Sequence, residues 1–509
     1  MVLTDIENPV FERGVRRRLV SADTTFVSIH GDPSRAVFAA KRRSRPDVIV
    51  DATRQGDRTA LAREMIWVLP RGGLYIAVGA RRSWTNRFDA AGRSLSTDSV
   101  ASERVKKELR DSVSLERNRR PQAVVKQRDH LAVLRHTDVE EVLSSRYGAA
   151  WGEIVTRQAE YTFESRADLI MHGEPSEARK PSTIHVPELT VRAYNDATCH
   201  MREILTRNDF ILPDTYRHWQ NKSLLHKRIQ PGSRSYARLL EAVTAGRAKS
   251  EAGTFYSLDS AFPTHFGHLM TETISRHWGW QVASKMYPDL RPVMTRQAGK
   301  APLPQWKRDV LSALNVPLDK ILFVEEGDSV RVERLVAAMP QLVNPRYIDA
   351  GIHNTWAAIG AGVGVDPTPL LRPEKIFLSR RSKSQRTCSN TPEVESFFAQ
   401  NGFKVLLPEK LSFAEQVHTF AAAKVIAGFG GSALFNAMFN STAKILILTS
   451  RSYVAANEYL IASVNGNELH YFWAPPELQQ PPSGFSVDAY RSGFEFPLAQ
   501  HQAALMRVI

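Results

Sequence analysis

Cysteine is nearly absent: Cys199 and Cys388 are the only two in 509 residues. Two thiols cannot build a disulfide framework or a cysteine-rich zinc site. The plain expectation is a reducing, cytoplasmic setting. No two aspartates stand two positions apart, so the sequence has no Asp-x-Asp pair of the kind that binds divalent cations. No stretch of about 20 apolar residues occurs, which argues against a membrane-spanning helix. Asp5, Glu7 and Glu12 interrupt any apolar core of signal-peptide type near the amino terminus. Repeats of roughly 20–50 residues and low-complexity tracts are also missing.

What is present is basic charge. Against 53 acidic residues stand 67 Lys and Arg, for a net charge of +14. Such a balance points to anionic partners: nucleotide diphosphates, membrane surfaces or nucleic acid. No aromatic–basic pattern, zinc knuckle or recognition-helix signature accompanies the charge, so nucleic acid is not expected. The clusters at 41–45 and 117–120 read as solvated faces, with peripheral contact to an anionic membrane surface (the inner face) as the alternative. The length suits two or three domains.

Residues 375–449 carry the clearest pattern. A short apolar run at 375–379 ends at Arg380. Pro392 and Glu393 open an amphipathic segment, with Val394, Phe397 and Phe398 apolar, that Gly402 closes. A second strand spans 403–407. Ser412 and Glu415 form a capping box ahead of the Phe413/Val417/Phe420 face. A third strand at 424–427, the turn 428–432, a helix at 433–439 and a fourth strand at 444–449 follow. Strand and helix alternating with short links predict a parallel sheet whose ligands sit at the carboxyl ends of the strands. Arg380, Asn390 and the glycine turn fall on that edge.

These residues resemble the carboxyl half of glycosyltransferase family 61. The matching points are Ser379-Arg380, Arg386, Asn390 before a helix, the run from Ser412 to Gln416, and Gly428 to Asn436. Two positions depart from the family's pattern: Thr391 stands where Glu is common, and Gly430 where the loop commonly carries His. The resemblance runs over about residues 186–475 and implies two Rossmann-like lobes of GT-B type, an α/β fold. It also implies inverting transfer from a nucleotide-diphosphate sugar to a glycan, glycolipid or other hydroxyl acceptor, in polysaccharide or glycoconjugate biosynthesis.

A second strong point is the segment around 262–280. On a helix of about 3.6 residues per turn, His268, Glu272 and Arg276 share one face. Met270, Ile274 and Trp278 line the opposite side. The bland alternative is a surface helix with a Glu–Arg pair and a solvated His. The family has a similar His-x-x-x-Glu-x-x-x-Arg helix, which favours a functional face. His265 and His277 read as incidental, His265 being near enough to contribute.

The amino-terminal region has strands at 25–30 and 47–50, a helical segment at 61–69, Pro70 to Gly73, and a strand at 74–78. This order resembles the later half of a class I methyltransferase domain. The glycine-rich turn of such a cofactor site is missing, so the segment reads as a degenerate Rossmann-like domain acting as a scaffold. Glu103 to Leu109 and Val139 to Leu143 suit helices. Gly360, Gly362 and Gly364 mimic a dinucleotide fingerprint, but Pro367, Pro369 and Pro373 forbid the helix it needs. The stretch reads as a flexible connection or hinge. The proline-rich tail after Trp473 ends in a weak helix from Leu498 to Met506, which by analogy would cross back to the amino-terminal lobe.

The expected organisation is therefore a degenerate Rossmann-like domain (1–95), a basic connecting region (96–185), an acceptor-side lobe (186–370), a nucleotide-sugar-binding lobe (371–475) and a tail (476–509). Stabilising a diphosphate leaving group takes either a metal or fixed cations with helix amino termini. With no Asp-x-Asp pair, no metal and no cofactor beyond the nucleotide sugar are expected. Arg380, Arg386 and the Gly430-Gly431-Ser432 turn fit the second solution. Arg276, Gln416 and Asn436 are further binding candidates through the resemblance. Asn390 either touches donor or caps its helix. His268 is the candidate general base, with Glu272 orienting or replacing it. The alternatives are an S-adenosylmethionine-dependent methyltransferase, or a non-catalytic carbohydrate-binding scaffold derived from a transferase.

Overall fold

The computed structural model describes residues 2–4, 27–29, 33–42, 46, 48–51, 64–69, 74–77, 113–116, 122–125, 130–175, 180–232, 235–296, 302–364, 372–380, 385–482 and 484–509. The chain divides into two compact units. One holds Met1–Glu153, Tyr194–Ala252 and Glu326–Leu335; the other holds Ile154–Ala193, Gly253–Glu325 and Val336–Ile509.

In the first unit, Val27–Ile29, Val2–Thr4, Val48–Asp51 and Leu74–Ala77 lie side by side in parallel, in that order. Gln122–Val125 and Val113–Glu116 extend the sheet as antiparallel strands. The expected strands at 25–30, 47–50 and 74–78 are present in shortened or shifted form. The helix Pro33–Arg42 ends in a basic turn, and there the reading of 41–45 as a solvated face fails for Lys41. Its side chain is buried, Nζ donates to the Val133 carbonyl at 2.7 Å, and burial pulls its pKa down to about 8. Arg42 is exposed and pairs with Glu141 at 2.9 Å. Val139–Tyr147 is helical as expected. Gly31-Asp32, Arg43 to Arg45, 70–73, 103–109 and 117–120 lie outside the described residues.

The second unit contains the sheet anticipated at 375–449. Its strands are Asp168–His172, Glu468–Ala474, Lys444–Ser450, Val425–Phe429, Lys375–Leu378 and Lys404–Leu406, in that order and all parallel. Side chains alternate between two cores, as the two-residue period of a strand requires. Phe377, Leu446, Leu448 and Phe472 enter one core, with Phe398 and Phe429. Ile376, Leu378, Ile445, Ile447 and Tyr471 enter the other, with Phe420. Fully burying each large side chain stabilises by about 1.5–3 kcal/mol, and covering both faces is what an all-parallel sheet needs.

Local signals set the connections. Thr391–Gln400 has Pro392 in its first turn and ends before Gly402 at φ 83°. Phe413–Ala422 opens with the reciprocal Ser412–Glu415 capping box, its two bonds at 3.1 and 2.6 Å. The segment after the glycine turn is a 3-10 helix, Ser432–Phe439. The tail helix Leu498–Val508 packs through Leu498 and Leu505 onto this same sheet, in place of the crossing back that analogy implied.

Residues 255–257, 291–295 and 322–324 form a second parallel set in this unit. The reading of 359–366 as a flexible link is corrected at its start: Ile352–Gly362 is a helix that runs through Gly360 and Gly362. A Cβ at Gly362 would lie 2.3 Å from the Ala313 carbonyl oxygen, so the missing side chain lets two helices touch. Among the described residues no helix is long and apolar enough to cross a membrane.

Candidate functional site

The parallel sheet delivers the glycine turn and the arginines to one edge. Lys375–Leu378 leads into Ser379 and Arg380, and Val425–Phe429 leads into Gly430 and Gly431. Arg380 Nη2 donates to the Gly430 carbonyl at 2.9 Å, and Nη1 to the Arg386 carbonyl at 3.4 Å. Burial and the neighbouring Arg386 both pull the Arg380 pKa down. Gly431 sits at φ 145°, and a Cβ there would be 2.6 Å from Arg380 Nη2 and 3.3 Å from Arg386 Nη2. An added Cβ would press on both guanidinium groups, and the backbone conformation itself favours glycine.

Arg386 is held from beneath. Its backbone is left-handed, φ 50°, a conformation that costs a non-glycine residue about 1–2 kcal/mol. The Arg386 amide donates to the Arg491 carbonyl at 2.8 Å. Its guanidinium lies 5.3 Å from the Tyr453 ring and 4.9 Å from the Tyr490 ring, and those two rings stack on each other. Among the described residues Arg386 Nε is buried without a hydrogen-bond partner.

Reasoning from the sequence missed Tyr453, Glu458 and Tyr490. Glu458 is 3% exposed; its Oε1 accepts from the Gly431 amide at 2.8 Å and from the Tyr453 hydroxyl at 2.8 Å. Burial pushes its pKa up, and it pushes Tyr453 well up as well. The one available signal was Glu458 as the only charged residue of the segment 453–464. The turn's amides are partly committed: Gly430 donates to Leu448 at 3.0 Å and Gly431 to Glu458. The amides of Ser432 and Ala433 precede the first helical bond, that of Leu434 to Gly431. A Cβ at Gly430 would meet Thr449 Oγ1 at 2.9 Å and Tyr453 Cε1 at 3.2 Å, so this backbone has no room there for the histidine common in the family pattern.

Three other candidates do work inside the fold. Asn390 makes no helix-cap bond; its side chain donates to the Phe496 carbonyl at 2.9 Å and accepts from the Phe496 amide at 2.9 Å. Gln416 and Asn436 are buried and bonded to each other at 2.9 Å, and Gln416 also donates to the Pro408 carbonyl. They brace the helix that follows the glycine turn.

The His268 segment departs from a regular helix. Phe266–His268 is α-helical, Leu269–Thr273 a π-helical turn, Ile274–Arg276 a 3-10 turn and His277–Met286 α-helical again. The two-faced pattern expected from a 3.6-residue period is therefore broken, and Glu272 and Arg276 are both buried. Wide turns of this kind recur at functional sites. Side-chain hydroxyls help satisfy the segment's carbonyls: Thr271 donates to Gly267 and Ser275 to Glu272, each at 2.8 Å. His268 and Glu272 stay together, Nδ1 to Oε1 at 2.7 Å, with the imidazole stacked on Phe262 at 4.3 Å. Glu272 is the more buried partner, and the His268 side chain is 18% exposed. His265 lies edge-on to His268, ring centres 4.8 Å apart. His277 is structural: it bonds the Leu314 carbonyl at 3.1 Å, and burial lowers its pKa to about 4.

The two groups meet through Gly267. A Cβ on Gly267 would lie 2.8 Å from Ser432 Cβ and 3.2 Å from the Phe435 ring, so the residue before His268 abuts the residue after the glycine turn. The linings of two clefts, one with His277, Trp280, Lys285 and Asn315 and one with Phe163, Arg166, His353 and Asn465, do not include His268, Glu272 or the glycine turn. Among the described residues no group of three or more His, Cys, Asp or Glu is arranged to hold a metal.

A family model described as Glycosyltransferase 61 matches residues 266–447, from the His268 segment to the strand after the glycine turn. No curated protein matches the chain. The methyltransferase resemblance of the amino-terminal segment finds no support in these comparisons.

Proposed function

Residues 266–447 carry the glycosyltransferase 61 family region, and from that premise we propose that the protein transfers a sugar from a nucleotide-diphosphate sugar to a hydroxyl of a glycan or glycolipid, with inversion and without a metal. A two-lobed GT-B architecture belongs to this reading. The observation that carries it is the contact of Gly267 with Ser432, which brings an imidazole–carboxylate pair beside a turn flanked by two arginines.

The chemistry follows from how each side chain is held. With Nδ1–H donated to Glu272, the Nε2 lone pair of His268 is free to take the acceptor's proton. The buried Glu272 orients the ring and stabilises the imidazolium that forms, so it acts through His268 and does not itself serve as the base. The acceptor oxygen attacks the anomeric carbon as the bond to the diphosphate breaks. Negative charge then grows on the leaving oxygens, where Arg380, Arg386 and the Ser432 end of the 3-10 helix oppose it.

Screening a panel of nucleotide sugars by thermal shift, followed by hydrolysis and transfer assays in excess chelator, tests the reading. A ligand at ~100 times its dissociation constant stabilises by ~2.7 kcal/mol. Stabilisation by one nucleotide sugar, with turnover that survives chelator, is the expected result. Activity lost in chelator and restored by manganese or magnesium would overturn the metal-free part. Binding with no hydrolysis or transfer would favour a scaffold derived from a transferase, a reading that the committed amides of Gly430 and Gly431 make worth testing.

A further inference from the structure

Glu458 has an unusual position for a carboxylate. It lies beneath the glycine turn, in the helix Asn457–Asn465, and is 3% exposed. Only one of its oxygens is used by side-chain or turn donors. Oε1 takes the Gly431 amide and the Tyr453 hydroxyl, whereas Oε2 is buried with no hydrogen-bond partner among the described residues. The charged and titratable groups that act on it come from several elements. Arg386, stacked on Tyr453 and Tyr490, favours the ionised form, and Arg380 feels its charge from the strand end. On the far side Lys180 rests over the rings of Tyr471 and Trp473, at 4.6 and 5.1 Å, and also feels Glu458. The Tyr471 hydroxyl, also within its field, is buried without a partner among the described residues.

The carboxyl thus takes a turn amide and partly offsets the charge of the two arginines. A diphosphate at the same edge adds at least two negative charges and competes for the same guanidinium groups. Two anions beside one cationic pair, in a setting that excludes water, raise the cost of keeping both ionised. Burial already pushes the Glu458 pKa up, so the carboxyl is the group that yields.

We infer that Glu458 is a positioning residue that takes up a proton when a nucleoside diphosphate binds at Arg380 and Arg386. The proton comes from solvent and lodges on Oε2, while Oε1 keeps the Gly431 amide and the turn holds its shape. The inference rests on reading this edge as the diphosphate site. Its sign is fixed: binding that takes up a proton weakens as pH rises.

Calorimetric titration with UDP, GDP and ADP, in buffers of different ionisation enthalpy, counts the protons taken up by the full-length protein. The nucleotide's own phosphate titrates too, but equally in wild type and variant. The expected result is an uptake that is larger in wild type than in Glu458→Gln, up to one proton, and an affinity that falls up to tenfold more per pH unit in wild type. Equal proton counts in the two proteins would overturn the inference and leave the donor reading standing. Failure of all three nucleotides to bind wild type would overturn both. If Glu458→Gln does not fold, Tyr453→Phe serves. Removing a hydrogen bond that favours the carboxylate should move the pH dependence of binding to higher pH, and an unmoved profile would overturn the inference.

Discussion

The two parts of the candidate site are built in opposite ways. His268 and Glu272 come from one segment, four residues apart, and complete each other with a single 2.7 Å bond. The arginine edge gathers Arg380, Arg386, Gly431, Tyr453, Glu458 and Tyr490 from separate segments, and among the described residues the Glu458 carboxyl under the turn stands against two guanidinium groups. The first arrangement suits a proton transfer, where acid and base must keep a fixed geometry. The second suits a bulky anionic group, because an incompletely compensated cationic patch gains most when such a ligand arrives. Damage to the first should therefore appear in turnover, and damage to the second in binding.

Removing the imidazole should have the largest effect. His268→Ala is expected to lower turnover by ~10²–10⁴ while nucleoside diphosphate affinity stays near wild type. Glu272→Gln should cost less, because it leaves Nε2 in place; a loss as large as that of His268→Ala would make Glu272 the base. Near-normal turnover in a folded His268→Ala protein would erase the contrast between the two parts.

The arginine edge comes next. Arg380→Ala should weaken nucleoside diphosphate binding by about 1.5–3 kcal/mol, the usual worth of a hydrogen bond to a charged group. Arg386→Ala should act in the same direction. Calorimetry on a folded Arg380→Ala/Arg386→Ala double variant decides it, since unchanged affinity would remove the diphosphate from this edge.

The smallest effect sharpens the comparison from outside the chemistry. Asn390→Ala deletes both bonds to the Phe496 backbone; the Phe496 carbonyl keeps the Leu498 amide at 2.8 Å, but the Phe496 amide loses its Asn390 acceptor, at a cost of about 1–3 kcal/mol in stability. A lower Tm with diphosphate affinity within a few-fold of wild type is expected. A fall in affinity as large as that of Arg380→Ala would show that Asn390 touches the ligand.

The unequal construction of the two parts also explains what could be read from the chain. Between residues 375 and 449 the helices of the parallel sheet carry their own start or stop signals, such as Pro392, Gly402 or the Ser412–Glu415 box, so the order of elements along that stretch was legible; the two further strands, Asp168–His172 and Glu468–Ala474, were not expected. The His268–Glu272 pair was legible for the same local reason. The π-helical turn was not, because it depends on packing around residues 269–276 and not on their spacing. The stretch from 359 read as a hinge because Pro367, Pro369 and Pro373 forbid a helix after its glycines; the helix instead precedes them and runs to Gly362, where the lack of a Cβ serves a helix crossing. Lys41 looked solvated because it stood in a basic run. Tyr453, Glu458 and Tyr490 gain meaning only once the sheet brings them under one turn. Asn390 and Gln416 were located, but their amides turned out to be used within the protein.

The bonds between the Arg386 loop and the tail also set an order of events during synthesis. Arg386 is fixed through the Arg491 carbonyl, and Asn390 through Phe496, a partner 106 residues further along the chain. A ribosome adding about 5–20 residues per second needs roughly 5–20 s to cover that distance. Throughout that interval the arginine loop has emerged while its clasp has not yet been made. The hydrogen bond within the proton-transfer pair needs no residue of the tail. The nascent protein therefore acquires its parts of the site in sequence, and the cationic edge is finished last.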